Sequence, residues 1–177
     1  LMIVGNFTSF NGIPRQNIAV INTDGTVDMS FVPVTMNFTD IYNFMIEDDK
    51  IIFVGNNMSV PGYSGNMLAL NHDGSHHPAF PVYSSSSTVY GCFKKSNGKL
   101  IVYGGFIDFG SRVQHKFVQL LANGSFDDVE RKFNGTNEYI YSGVANQDGT
   151  YFVGGNFLTY DKFQSKYFIK LNSNGSV

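Results

Sequence analysis

Three in-phase repeats predict an all-β chain built from four-stranded antiparallel blades, each unit about 50 residues long. The first repeat is an apolar residue followed by glycine, at Val4-Gly5, Val54-Gly55, Tyr103-Gly104 and Val153-Gly154, with the glycines 50, 49 and 50 residues apart. The second is a turn, Asp24-Gly25, Asp73-Gly74, Asn123-Gly124 and Asn174-Gly175, whose glycines are spaced 49, 50 and 51. The third is a tyrosine, Tyr42, Tyr90 and Tyr141, at spacings of 48 and 51. A period of this length, with no sustained helical pattern, is the size of a β-propeller blade, whereas parallel β-helix coils are much shorter. The 177 residues then make about three and a half blades: part of one in 1–33, one each in 38–82 and 87–133, and part of another in 138–177.

Within a unit the order is strand a, tight turn, strand b, long loop, strand c, tight turn, strand d. Strand a is expected at Ile41 to Ile46, Val89 to Phe93 and Ile140 to Ala145, with Tyr42, Phe44 and Ile46 alternating as one half-buried face. The turn that follows carries Asn-Gly or Asp-Gly chemistry in Ser96-Asn97-Gly98 and Gln147-Asp148-Gly149, and runs from Glu47 to Lys50 in the other unit. Strand b is continuously apolar, at Leu1 to Val4, Ile51 to Val54, Leu100 to Tyr103 and Tyr151 to Val153, as a strand covered on both faces should be. Strand c, as in Ile18 to Ile21 and Met67 to Leu70, enters the second turn, and strand d is expected to end at Phe31 or Phe80.

Composition narrows the partners. Only 15% of residues are charged, against about 25% in an average domain, and the net charge is -2. Neither nucleic acid nor an anionic membrane surface is an expected partner. No apolar run approaches the ~20 residues of a membrane-spanning helix. Cys92 is the single cysteine, so no internal disulfide or Cys-rich zinc site can form. Because the chain opens at Leu1-Met2 inside an apolar run and about three and a half blades would not close a ring, it is expected to be a piece of a larger protein. Further blades or a second chain would complete the ring.

The run Val153-Gly154-Gly155-Asn156-Phe157, the stretch from Phe7 to Arg15 and the stretch from Ile18 to Phe31 resemble the delta-60-repeat β-propeller family. The likeness is best in the first unit and decays later: His76-His77 stands where the first unit has Asp28, and an insertion separates Asp127 from Phe133. The resemblance implies a propeller that occurs as a module of bacterial surface or secreted proteins and of phage structural proteins, with no catalytic motif of its own.

The long b-to-c loops are where binding is usually built on such a scaffold. They pair aromatic with basic residues: Phe10 with Arg15, Phe109 with Arg112, and Tyr160 with Lys162 and Lys166, while Tyr63 stands without a basic partner. One reading is a ring of aromatic and cationic groups that stacks on sugars or holds a carboxylate. The other is that the aromatics pack the loops down and the charges are solvated. His72, His76 and His77 cluster in a c-to-d turn and are weak candidates for a metal, with no ligand from elsewhere to close the shell. No cofactor is expected. Of the acids outside tight turns, only Asp108 and Asp161 form a plausible facing pair for polysaccharide hydrolysis. Cys92 reads as a packed thiol. Six Asn-x-Ser/Thr sequons, at Asn6, Asn37, Asn57, Asn123, Asn134 and Asn174, include three Asn-Gly-Ser/Thr turns, so turn chemistry alone generates many of them. The expected function is a non-enzymatic structural or interaction module of a larger virion (phage tail-like) or bacterial cell-surface protein, binding a protein or glycan partner. A propeller hydrolase and a pure spacer are the alternatives.

Overall fold

The computed structural model describes residues 1–129 and 135–177. The sequon at Asn134 and the end of the third unit at Phe133 lie outside the described residues. Everything described is strand, turn or loop. The first unit holds β1 (Met2–Val4), β2 (Ser9–Phe10), β3 (Ile13–Pro14) and β4 (Ile18–Val20). The second holds β5 (Asp40–Ile46), β6 (Ile51–Val60) and β7 (Tyr63–Leu70). The third holds β8 (Val89–Lys94), β9 (Leu100–Gly104), β10 (Asp108–Phe109), β11 (Arg112–Val113) and β12 (Phe117–Leu120). The fourth holds β13 (Ile140–Ala145), β14 (Tyr151–Gly155), β15 (Thr159–Tyr160), β16 (Phe163–Gln164) and β17 (Phe168–Leu171). The main sheets run β5-β6-β7, β8-β9-β12 and β13-β14-β17, all antiparallel, with β1 paired to β4 in the first unit. Strands a, b and c of the sequence reading are thus β5, β6, β7 and their equivalents.

The apolar b strands are explained by stacking. Along β6, Ile51 and Phe53 pack with Met2 and Ile18 of the first unit, whereas Ile52 and Val54 pack with Val89, Val102 and Leu120 of the third. In the same way Ile101 and Tyr103 turn from the third unit toward Tyr151 and Val153 of the fourth. Both faces of β6 and β9 are therefore interior, whereas β1 and β14 are only partly covered, and each fully buried aliphatic side chain contributes roughly 1.5–3 kcal/mol. The innermost strands β5, β8 and β13 lie side by side, one per blade.

Strand d is shorter than expected. Among the described residues the fourth segment pairs with strand c through isolated bridges, Ile21 with Val27, Leu70 with His76, Met67 with Tyr83, and Leu120 with Phe126. Between His77 and Tyr83 the chain carries Pro78 and Pro81, which lack the N–H that a continuous ladder requires. The c-to-d turns share one construction. In the first, the Asn22 N–H donates to the Thr26 carbonyl, Gly25 takes φ 87°, and the Asp24 carboxylate accepts from both the amide and the hydroxyl of Thr26 at 2.9 and 2.7 Å. Asn123 accepts from Ser125 in the same way, at 3.0 and 2.7 Å. An Asn-Gly-Ser sequon at Asn123 is accordingly a turn signature, in which a short side-chain acceptor is followed by a positive-φ glycine and a hydroxyl donor.

Candidate functional site

The repeating glycine and the repeating tyrosine turn out to be two sides of one device. The pairing of strand a with strand b slips between Ile41 and Asn43, between Val89 and Gly91, and between Ile140 and Ser142. The residue skipped in each case is a tyrosine, Tyr42, Tyr90 or Tyr141. Each stands at a β-bulge, which bends the strand and re-aims the side chain. The glycine opposite lets the bulged backbone come close: a Cβ on Gly55, Gly104 or Gly155 would collide with the carbonyl oxygen of Asp40, Thr88 or Tyr139. The structural equivalent in the fourth unit is therefore Gly155 rather than Gly154. The bulge also shifts the alternation of β5 by one residue. Ile41 and Phe44 share the buried face, while Tyr42 and Ile46 are exposed, which corrects the expectation of a common Tyr42, Phe44 and Ile46 face.

Aimed this way, the tyrosines meet from blade to blade. Tyr42 and Tyr90 pack edge to face with centroids 5.3 Å apart, Tyr90 and Tyr141 at 5.1 Å, and Tyr139 joins at 6.3 Å from Tyr141. The ladder stays open to solvent, Tyr42 being 46% and Tyr141 44% exposed. Its hydroxyls are oriented: Tyr42 donates to Asp40 at 3.3 Å, and Asn156 donates to the Tyr141 oxygen at 3.1 Å. Burial, with the Asp40 carboxylate second, pushes the Tyr42 phenol up. The spacing of the tyrosines was visible in the sequence, but their meeting was not, because it depends on bulges that no pattern of alternation announces.

The long loops are ordered hairpins, and they are folded inward. Asn11-Gly12, Gly110-Ser111 and Asp161-Lys162 all take positive φ at both turn positions, the conformation of the tightest hairpins. Phe109 is wholly buried against Tyr83 and Phe106, at 4.8 and 5.3 Å. Tyr160 is buried too, and its hydroxyl donates to the Gly175 carbonyl at 2.9 Å. Phe10 packs, half-buried, beside Ile21 and Val27. Of the two readings of these loops the geometry supports packing: Phe109 lies among residues of the second and third units and Tyr160 among residues of the third and fourth. Their basic neighbours go elsewhere. Arg112 lies over Phe126, 4.0 Å from its centroid, and pairs with Asp128 at 2.5 Å. Arg15 donates to the Pro14 and Asp28 carbonyls at 2.9 and 3.4 Å. Lys162 and Lys166 are exposed, and Tyr63 stacks on His76 at 4.2 Å.

The histidines diverge. His72 Nε2 lies 2.8 Å from the Glu47 carbonyl, and His77 Nδ1 lies 2.8 Å from Asn71 Oδ1. His76 Nε2 is buried with no partner among the described residues, and burial pushes its pKa down. Among the described residues no three His, Cys, Asp or Glu side chains converge as a metal site, and His72 and His77 have separate partners. Cys92 is buried between the second and third blades, its thiol pushed up to about 12 by desolvation, so it is a packing group.

One cavity opens beside the ladder. It measures about 400 Å³ and is lined by Ser86, Ser87, Gly105, Ile107, Asp108 and Lys116 of the third unit with Glu138 and Tyr139 of the fourth. Asp161 lines a different cavity, with His115, Thr136 and Lys162, so the expected Asp108 and Asp161 pair does not share a site. Glu138, which no sequence pattern singled out, is the carboxylate that accompanies Asp108.

A family described as a domain of unknown function (DUF5122) beta-propeller matches residues 1–31, 95–128 and 147–177, more than half of the chain. The chain belongs to this beta-propeller family. No curated protein and no solved structure matches it. The matched stretches of the DUF5122 propeller are the b-to-d parts of the first, third and fourth units, where an inward-folded hairpin follows strand b. Residues 32–94 lie outside the match. There β6 and β7 run on as one long hairpin of 10 and 8 residues closed by Pro61-Gly62, with Met58 and Val60 taking the place of the buried hairpin aromatics.

Proposed function

We propose that the chain is a non-enzymatic interaction module of delta-60 type, part of a larger virion or bacterial cell-surface protein, which binds a protein or glycan partner. The observation that carries this reading is the tyrosine ladder of exposed Tyr42 and Tyr141 with half-buried Tyr90 between them, aimed by three bulges onto one continuous surface across three blades. Aromatic faces held by a rigid scaffold offer large contact area at little cost in side-chain entropy. The binding surface moves accordingly from the hairpin aromatics to the ladder. A hydrolase built on Asp108 and Asp161 gains no support from this geometry, since the two carboxyls line separate cavities.

The test is a glycan array and a screen of surface proteins with the wild-type chain and with Tyr42→Ala and Tyr141→Ala combined. Both residues are exposed bulge positions, so the melting temperature should hold while partner affinity falls by roughly tenfold per ring. Binding that survives the double change would overturn the ladder reading in favour of a spacer.

A further inference from the structure

We propose that the cavity beside Tyr139 is a subsite for one ring of a neutral carbohydrate, an assignment that rests on the ladder being the binding surface. Among the described residues most other acidic side chains are occupied, with the exposed Asp48 an exception. Asp24, Asp28, Asp73 and Asp148 accept from turn hydroxyls, Asp49 pairs with Lys50, Glu47 with Lys94, and Asp128 with Arg112. Asp108 and Glu138 are different. Neither carboxylate has a hydrogen-bond or ion-pair partner among the described residues, and the Ser87 hydroxyl has none either; all three line the same cavity. Ser86 is excluded from this role because its oxygen already accepts the amides of Ile107 and Asp108, at 3.0 and 2.9 Å, and so holds the cavity wall.

The floor is a glycine for a spatial reason. A Cβ at Gly105 would lie 3.3 Å from both the Ser87 oxygen and the Tyr139 ring, closing the gap between the hydroxyl and the aromatic face. Gly105 has an ordinary backbone conformation, so the missing side chain leaves room and supplies no special φ. Tyr139 is 38% exposed and is continuous with the ladder through Tyr141. A sugar ring presents an apolar face of C–H groups for such a tyrosine and a rim of hydroxyls that donate to carboxylates. Two carboxylates beside an aromatic ring would also attract a cation, but Lys116 in the same lining offsets half of their charge and favours a neutral polyol.

Saturation-transfer NMR and calorimetry with maltotriose, cellotriose, chitotriose and mannotriose test the assignment. Agmatine serves as the cationic probe. At least one trisaccharide should bind, with saturation reaching its ring C–H protons. Asp108→Asn combined with Glu138→Gln, which keeps the cavity shape, should weaken it by roughly tenfold or more, and Gly105→Val should abolish it. Thermal melting confirms that each variant is folded. Failure of all four sugars, binding of agmatine alone, or sugar binding indifferent to the Asp108 and Glu138 changes would each overturn the subsite. The module reading fails separately. If a protein partner is lost with Tyr42→Ala and Tyr141→Ala while no sugar binds, the subsite alone is wrong; if binding of every partner survives the tyrosine changes, the ladder is wrong as well.

Discussion

At Gly104 a single hydrogen in place of a side chain decides a whole local geometry. Its missing Cβ admits the Thr88 carbonyl and with it the bulge at Tyr90. Gly104→Ala should therefore destabilise by roughly 1–3 kcal/mol, as forced overpacking does. Gly12 is the control: it has φ 77° with nothing near a built Cβ, so Gly12→Ala should cost about 1 kcal/mol of backbone strain alone. Urea unfolding of the two variants compares them directly. The turn acids make a second prediction. Hydroxyl and amide donors from Thr26, Ser75 and Thr150 hold Asp24, Asp73 and Asp148 below the usual carboxylate value of 3.8. A carboxylate depressed on folding contributes stability that is complete above the unfolded value and lost as pH falls through the folded one. Stability should thus drop below about pH 4. Changing all three to Asn, the residue that Asn123 and Asn174 supply in turns equivalent to those of Asp24 and Asp73 and that Asn97 supplies in the turn equivalent to that of Asp148, should flatten that drop with the fold retained; circular dichroism melts from pH 2 to 6 measure it.

The hairpins show how an element can carry a surface signature into the interior. Phe109 and Tyr160 sit in polar, turn-rich segments, which is why they can be read as presented or as packed. The deciding fact is the packing between blades: a positive-φ pair closes each hairpin tip, and the hairpin aromatics lie among residues of two neighbouring units. Phe109→Ala should cost about 3–5 kcal/mol, the range for removing a buried aromatic, and Tyr160→Phe about 1 kcal/mol for one lost hydrogen bond. Chemical denaturation should show both losses. A Phe109 variant that kept full stability would contradict its place in the core. The shortened fourth strand belongs to the same scale: its prolines were legible in the sequence, but how few bridges would survive around them depended on the path of the neighbouring strand.

Across the molecule, stability should be carried blade by blade, because each interface joins only neighbours. The second and third blades are packed on both faces, whereas the fourth leaves Val144, Phe152 and Phe168 open on one. Hydrogen exchange should accordingly be slowest in β6 and β9 and faster in β14 and β17; equal protection in all four would refute a neighbour-by-neighbour scheme. The period, the order of strands a to c, the turn chemistry and the two-sided burial of β6 and β9 were all determined by the sequence alone, while β1 and β14 are covered less than their apolar runs led one to expect. Each is a local matter of which side chains recur, which φ they allow and which faces they hide. Only the tertiary structure decided that the repeating tyrosines form a ladder, that the hairpin aromatics are core, and that Asp108 shares a cavity with Glu138 rather than with Asp161. Those facts depend on the approach of one blade to the next, and a bulge that turns a side chain by one position leaves no mark in the local pattern until the neighbouring blade is in place.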